Sequence, residues 1–319
     1  MTKPDETEGG MPPEKESTVP DEADGGTVPE EDLSDELLEG QRWTTVGDLG
    51  HRLPCAVGPD VSYTFRTANL GLKLERGRKV PETLKARPML YLAHFLAVSL
   101  ESVQGRRLTD MGVEEAALLM RSLPSSSVLQ MLVRYWIDRR GSDVLVRDDI
   151  ICPQVSCGAV QDVPLHLSQM RVRAWDHLDA LPRIECELVD DFRFPGDRTV
   201  SAVAMEPAPW DACCELGDGQ LASEGEQEVA NLQRAIVSTD TVEGRVTIPR
   251  PVLERLSADD AVGLGLDLDL LSGGPEMAMG AECARCKSTF YVGVPFSSLD
   301  FFGQEVRRMR RRRRRLVSS

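Results

Sequence analysis

Histidine is scarce in this chain, with four in 319 residues, and none of the four sits in a recognisable catalytic motif. Gly-x-Ser-x-Gly and a Gly-Lys-Ser/Thr phosphate loop are both absent, so two common signatures of acyl-transfer and nucleotide chemistry are missing. Gly263-Leu-Gly265 lacks the third glycine and the strand–turn–helix setting of a dinucleotide loop. Lysine is rare as well: arginine outnumbers it 31 to 6, which reads as a GC-rich genome rather than as selection for bidentate contacts. No run approaches the roughly 20 apolar residues of a membrane span. The opening Met-Thr-Lys-Pro followed by acids is unlike a signal peptide, and a cytoplasmic location with no membrane partner is expected. Eight cysteines are too sparse for a disulfide scaffold, and in a reducing compartment closely spaced pairs favour metal over disulfide.

Charge is unevenly distributed. Of the net −15, residues 1–40 carry −12, residues 307–315 hold eight arginines, and the remaining body carries −11. The head, 1–40, is expected to be disordered, because it has too little apolar surface to offset chain entropy. An acidic body without a basic stripe interleaved with aromatics is a poor general nucleic-acid binder.

Between the charged ends the pattern is α+β. Short strands and turns are expected over 43–80, with Val61–Phe65 alternating like a half-buried strand. Residues 88–104 read as an amphipathic helix stopped by Gly105. Glu114–Leu123 and Ser125–Arg139 read as two further helices, with Ser125 as N-cap and Leu129, Leu132, Val133 and Trp136 on one face. Val144–Ile151, Val163–Leu167, Thr199–Met205 and Arg245–Ile248 read as strands, and 214–230 as an acidic loop leading into a short helix.

Four cysteines carry the chemistry. Cys152 and Cys157 lie in Cys-Pro-Gln-Val-Ser-Cys-Gly, and Cys283 and Cys286 in Cys-Ala-Arg-Cys. Two short-spaced pairs can supply the four thiolates of a structural Zn2+ site, each pair on a tight turn between two strands. The surroundings hint at a duplicated unit. With Leu123 matched to Leu256, Gly141 and Gly274 both fall 18 residues downstream, and Val163, Leu165 and Leu167 follow Cys157 at the offsets at which Val292, Val294 and Phe296 follow Cys286. Two αβ units, 41–170 and 171–302, would then each carry a knuckle and share one zinc-ribbon-like site of four cysteines, with a basic tail at 303–319. A shared site would be closed and structural, not catalytic. Two alternatives stand beside it. Each pair could hold its own metal with help from His166, His177, Cys186, Cys213 or Cys214, or the cysteines could all be ordinary reduced thiols, the expected state of Cys55 and Cys186. His166, flanked by Leu165 and Leu167, reads as a surface group or as one supporting the metal ligands of the first knuckle, rather than as a base. Asp190-Asp191 is expected in a loop, and Asp259-Asp260 at a helix N-terminus, where acids are favourable.

Over roughly residues 60–302 the sequence resembles the baseplate hub assembly proteins of contractile-tailed phages and the injection machines derived from them. The matching pieces are Val103-Gln-Gly105, Leu118–Leu123, Val133-Arg-Tyr-Trp-Ile137, Gly141, the two cysteine knuckles and Leu299-Asp-Phe301-Phe302. The acidic head, the arginine tail and the longer first knuckle depart from that pattern. The resemblance implies a non-enzymatic assembly or structural role, with baseplate, hub or other tail proteins as partners. The competing reading is a zinc-ribbon nucleic-acid binder that uses the arginine tail to neutralise phosphates.

Overall fold

A computed structural model of the chain describes residues 37–194, 198–216, 224–241 and 246–294. The expectations for the head before Leu37, for Arg245, for the second strand's Phe296, for Phe301-Phe302 and for the arginine tail lie outside the described residues. The fold is α+β: helices and several small antiparallel sheets surround three main apolar cores, with a small fourth cluster of Leu72, Val80 and Val98. None of the described helices is long and apolar enough to cross a membrane.

The first core forms around helices whose apolar residues leave little polar face. After β1 (Gln41–Thr45), α1 (Val46–Leu49) and β2 (Tyr63–Phe65) comes α2 (Leu70–Lys79), a helix inside the stretch expected to be strands and turns. Asn69 caps it by accepting the Leu72 N–H at 2.8 Å, and the two glycines within it obscure its period. α3 (Pro88–Ser99) carries no Asp, Glu, Lys or Arg, and Leu90 and Leu92–Ser99, His94 among them, are all buried. It is a central helix rather than an amphipathic one. It also stops earlier than the apolar run implies. Leu100 begins β3 (Leu100–Val103), which pairs with β2 and with β4 (Arg106–Arg107). Gln104 and Gly105 have φ of 48° and 70°, the left-handed pair of a two-residue hairpin loop. Gly105 thus turns a hairpin instead of ending a helix.

α4 (Val113–Ser122) and α5 (Ser125–Arg140) agree with the sequence reading to within a residue at each end. Pro124, not Ser125, holds the N-cap position. The Ser125 hydroxyl donates instead to the Ala208 carbonyl at 3.1 Å. α5 is buried on more than one face. Val128, Met131, Leu132 and Tyr135 join the first core, while Val133 and Trp136 join the second. It ends at Gly141 with φ 60° and ψ 22°, a left-handed C-terminal glycine.

The second core lies beneath two hairpins. β5 (Val144–Ile151) pairs with β6 (Val160–His166), and β7 (Arg171–Trp175) lies between β1 and a later short strand. The third core is a β10–β9–β8 sheet covered by helices: β8 (Ile184–Phe194), β9 (Arg198–Met205), α7 (Glu224–Ala235), β10 (Ile236–Thr239), α8 (Arg250–Leu253) and α9 (Ala258–Ser272); between β9 and α7, α6 (Trp210–Leu216) packs instead on the first core through Trp210 and Cys214. Residues 214–216 are helical instead of loop, and 246–249 form no strand, although Val246 N–H donates to the Val237 carbonyl at 2.8 Å. The chain then forms β11 (Gly274–Pro275), which joins the β1–β7 sheet, and the second hairpin, β12 (Ala278–Glu282) and β13 (Thr289–Gly293).

α9 survives its two glycines because its inner face and its start are both anchored. Leu264, Leu268 and Leu271 are buried at helical spacing. Ser257 accepts the Asp260 N–H at 3.1 Å and donates its hydroxyl to the Asp260 carboxylate at 2.7 Å. That carboxylate also accepts the N–H groups of Val189 (2.7 Å) and Asp190 (3.2 Å). Those amides belong to an irregular stretch of β8 between Glu187 and Phe192, where pairing with β9 lapses. Asp190 and Asp191 therefore lie in a strand, not a loop, while Asp259 and Asp260 occupy the first helical turn as expected.

Asp260→Ala is expected to destabilise the protein by about 3 kcal/mol, since two backbone donors lose a charged acceptor. Burial disfavours the charged carboxyl, but the Ser257 hydroxyl and the two amides outweigh it and hold Asp260 below its ordinary value of 3.8. A lowered folded pKa means the contribution is present above pH 3.8 and is lost as pH falls below it through the folded value. Denaturant titrations of wild type and variant at neutral pH and near pH 3 check both parts: the gap should narrow in acid.

Candidate metal centre

Each cysteine pair sits at the turn of a two-stranded hairpin. In the first, β5 and β6 pair from Val144–His166 up to Ile151–Val160. Across the turn, the Cys152 N–H donates to the Ala159 carbonyl at 2.9 Å, and the N–H groups of Cys157 and Gly158 donate to the Gln154 carbonyl at 2.8 and 3.1 Å. In the second, the Cys283 N–H donates to the Ser288 carbonyl at 2.9 Å and the Lys287 N–H to the Cys283 carbonyl at 3.0 Å. The residue after the last cysteine of each pair is left-handed: Gly158 at φ 52° and Lys287 at φ 64°.

That shared conformation is comfortable for glycine and strained for lysine. Lys287→Gly should stabilise the second knuckle by about 0.5 kcal/mol, and Gly158→Ala should destabilise the first by about 1 kcal/mol. The exposed Lys287–Glu282 ion pair at 3.3 Å offers little to lose. Chemical denaturation of the two variants checks the opposite signs.

The hairpins bring all four sulfurs together. Their Sγ atoms lie within 4.8 Å of one another. Cys152 and Cys286 are 3.7 Å apart, and Cys157 and Cys283 are 3.8 Å apart. A tetrahedron with Zn–S bonds of about 2.3 Å has edges of about 3.8 Å, whereas a disulfide would need about 2.0 Å. The cysteines are free thiols, and one ion at their centre would meet all four. A single cluster within 4.8 Å favours one shared ion over a separate ion for each pair.

Neighbouring residues fix this arrangement. Cys152 and Cys283 are buried in the second core with Val163, Leu165, Phe290 and Val292, while Cys157 is half-buried and Cys286 exposed. Gln161 reaches across from β6 and accepts the Ala284 N–H at 2.8 Å, tying one knuckle to the other. The Ser288 hydroxyl lies 2.9 Å from the Cys286 sulfur and 3.7 Å from that of Cys152. Sequence reasoning misses both Gln161 and Ser288. Ser288 carries a weak signal, a hydroxyl two residues past a cysteine, and Gln161 carries none.

The electrostatics suit a cation. The Ser288 hydroxyl, then the Ser288 N–H, draws Cys286 down to about 6. The Cys286 N–H, followed by that of Arg285, lowers Cys283. The Ala159 N–H favours the Cys157 thiolate, but burial and three surrounding sulfurs outweigh it and push Cys157 up to about 11. Part of the set ionises readily, while the remainder resists adding like charge. A divalent cation relieves that conflict.

The other candidates lie elsewhere. His166 faces Asp143 at 3.8 Å and His177 faces Asp179 at 3.3 Å, both on the surface. Cys186 belongs to the third core, and burial pushes it up to about 12. Cys213 and Cys214 lie on α6 against the first core, and Cys55 is fully buried, its carbonyl accepting the Ser127 hydroxyl at 2.6 Å. Gly263-Leu-Gly265 is interior to α9 and forms no phosphate loop. Among the described residues, Cys152, Cys157, Cys283 and Cys286 are the group of His, Cys, Asp and Glu side chains close enough to hold a metal ion. No family model, no curated protein and no solved structure matches the chain.

Proposed function

We propose that the four cysteines bind one structural Zn2+ and that the chain is a non-enzymatic assembly or structural component of a phage-like contractile tail or injection-apparatus baseplate. The carrying observation is the closed tetrathiolate: four sulfurs within 4.8 Å of one another, drawn from hairpins more than a hundred residues apart in sequence. Four thiolate ligands fill a tetrahedral ion and leave no position for substrate, the arrangement of structural sites. Zinc suits an all-thiolate tetrahedron better than the hard cations that prefer oxygen. The tail assignment is supported by the order of helical segment, first knuckle, alternating strand and second knuckle that the sequence shares with hub assembly proteins.

Two experiments test the two parts separately. Elemental analysis of purified protein should return one zinc per chain, and a metal-free wild type would end the zinc reading. Deleting the gene from its producing strain should abolish sheathed particles, and the tagged chain should co-purify with baseplate or hub proteins. Normal particles after deletion would overturn the tail assignment and leave the metal site untouched.

A further inference from the structure

The first knuckle hairpin exposes apolar residues where a small two-stranded element would be expected to be polar. Ile151 and Val160, paired across the hairpin, are 65% and 62% exposed, and Val155 at the knuckle tip is fully exposed. Side chains alternate along β6, so Val163 and Leu165 enter the core while Val160, Asp162 and Pro164 face outward. The outward face combines this apolar tip with three acids. The β5 register shifts between Arg147 and Ile150, which leaves Asp148 and Asp149 opposite Asp162. The Asp149 N–H donates to the Asp162 carboxylate at 3.2 Å, with Asp149 itself left-handed at φ 59°. A bulge of this kind re-aims side chains at one point of a ladder. Asp148, Asp149 and Asp162 are all exposed.

The chain itself supplies a segment of matching chemistry. Its last described residue, Val294, is buried in the same core as this hairpin, and its N–H donates to the Met277 carbonyl at 2.7 Å. Residues 295–319 follow directly. They begin with Phe296, Leu299, Phe301 and Phe302 and continue into the eight arginines of 307–315. Eight residues from Pro295 to Phe302 reach up to about 28 Å when extended. That exceeds the roughly 17 Å length of a five-residue strand such as β13, so the aromatic pair can return to the knuckle end of the clasp.

We propose that residues 295–319 dock on the outer face of the first knuckle hairpin of the same chain. Phe296, Phe301 and Phe302 cover Ile151, Val155 and Val160, and the arginine run pairs with Asp148, Asp149 and Asp162. Apolar patches that a chain leaves exposed are commonly contact surfaces, and here charge, apolar content, length and point of departure converge on one occupant. Docking would secure the C-terminus against the cysteine clasp and give the arginine run a protein ligand.

Site-specific photocrosslinking in the full chain tests this. A benzoylphenylalanine is placed at Val155 in one preparation and at Val160 in another, with circular dichroism confirming the fold. Links mapped by mass spectrometry to residues 295–306 of the same chain are the expected result. Mixing isotopically labelled and unlabelled protein distinguishes links within a chain from links between chains. Absence of links from both positions, links to other segments, or links only between copies would each overturn the proposal. Charge is tested in the same full chain. The triple variant Asp148→Lys, Asp149→Lys, Asp162→Lys should lower the intrachain yield about tenfold at physiological salt, and 1 M salt should lower the wild-type yield similarly by screening. An unchanged yield in the triple variant would overturn the arginine–aspartate pairing.

Discussion

Cys152→Ser and Cys283→Ser are each expected to eliminate bound zinc and to lower the melting temperature by roughly 10–20 °C. Both sulfurs are buried, one from each hairpin, and both belong to a single cluster. With one shared ion, either substitution removes the whole equivalent of metal rather than half of it. Binding free energies for structural zinc in finger peptides are about 10–16 kcal/mol. A larger fold that keeps part of its clasp packing without metal would lose less. A loss of about 5 kcal/mol corresponds to the stated shift at about 2–4 °C per kcal/mol for a domain of this size. Elemental analysis paired with thermal unfolding is the measurement. Retention of half an equivalent by either variant would break the shared-site geometry. Metal uptake should also release protons, because Cys157, raised to about 11, must give one up to ligate. Zinc affinity measured against a competing chelator should therefore fall as pH is lowered.

The cysteines are legible in the sequence because closely spaced thiols in a chain expected to be reduced point to a metal before anything else. Matched offsets suggest their convergence, but not the means of it. Gln161 holds Ala284 across more than a hundred residues of sequence, and no local pattern marks a side chain whose partner arrives from another hairpin. The helices divide in a similar way. α4 and α5 have turn residues or proline at their boundaries and are readable to a residue or so. α3 runs into β3 inside one unbroken apolar stretch, where burial erases the contrast on which periodicity depends. In β8, the lapse in pairing around Asp190 is offset by Asp260, 70 residues downstream, so the strand's irregularity is invisible without its acceptor.

Gly274→Ala is expected to cost about 4 kcal/mol, against about 1 kcal/mol for Gly141→Ala, although the two glycines occupy matched offsets in sequence. Gly141 ends α5 in the left-handed region, and an added Cβ would meet nothing within 4 Å. Only the backbone conformation penalises a side chain there. Gly274 has φ of 95°, and its Cβ would lie 2.4 Å from the Ser126 Cβ and 3.0 Å from the Ser126 Cα. Ser126 is buried near the start of α5, so the clash is with a packed helix that cannot swing aside. Backbone strain of about 1–3 kcal/mol and overpacking of about 1–3 kcal/mol then act together. The location amplifies the effect. Gly274 pairs with Arg173 in the β7–β11 ladder and leads directly into β12, so a shift of β11 away from α5 would carry the second knuckle with it. Gly274→Ala should accordingly weaken zinc binding as well as folding, whereas Gly141→Ala should lower stability alone. Parallel denaturation and chelator-competition measurements separate the two. Equal effects of the two substitutions would mean that β11 does not depend on close approach to α5.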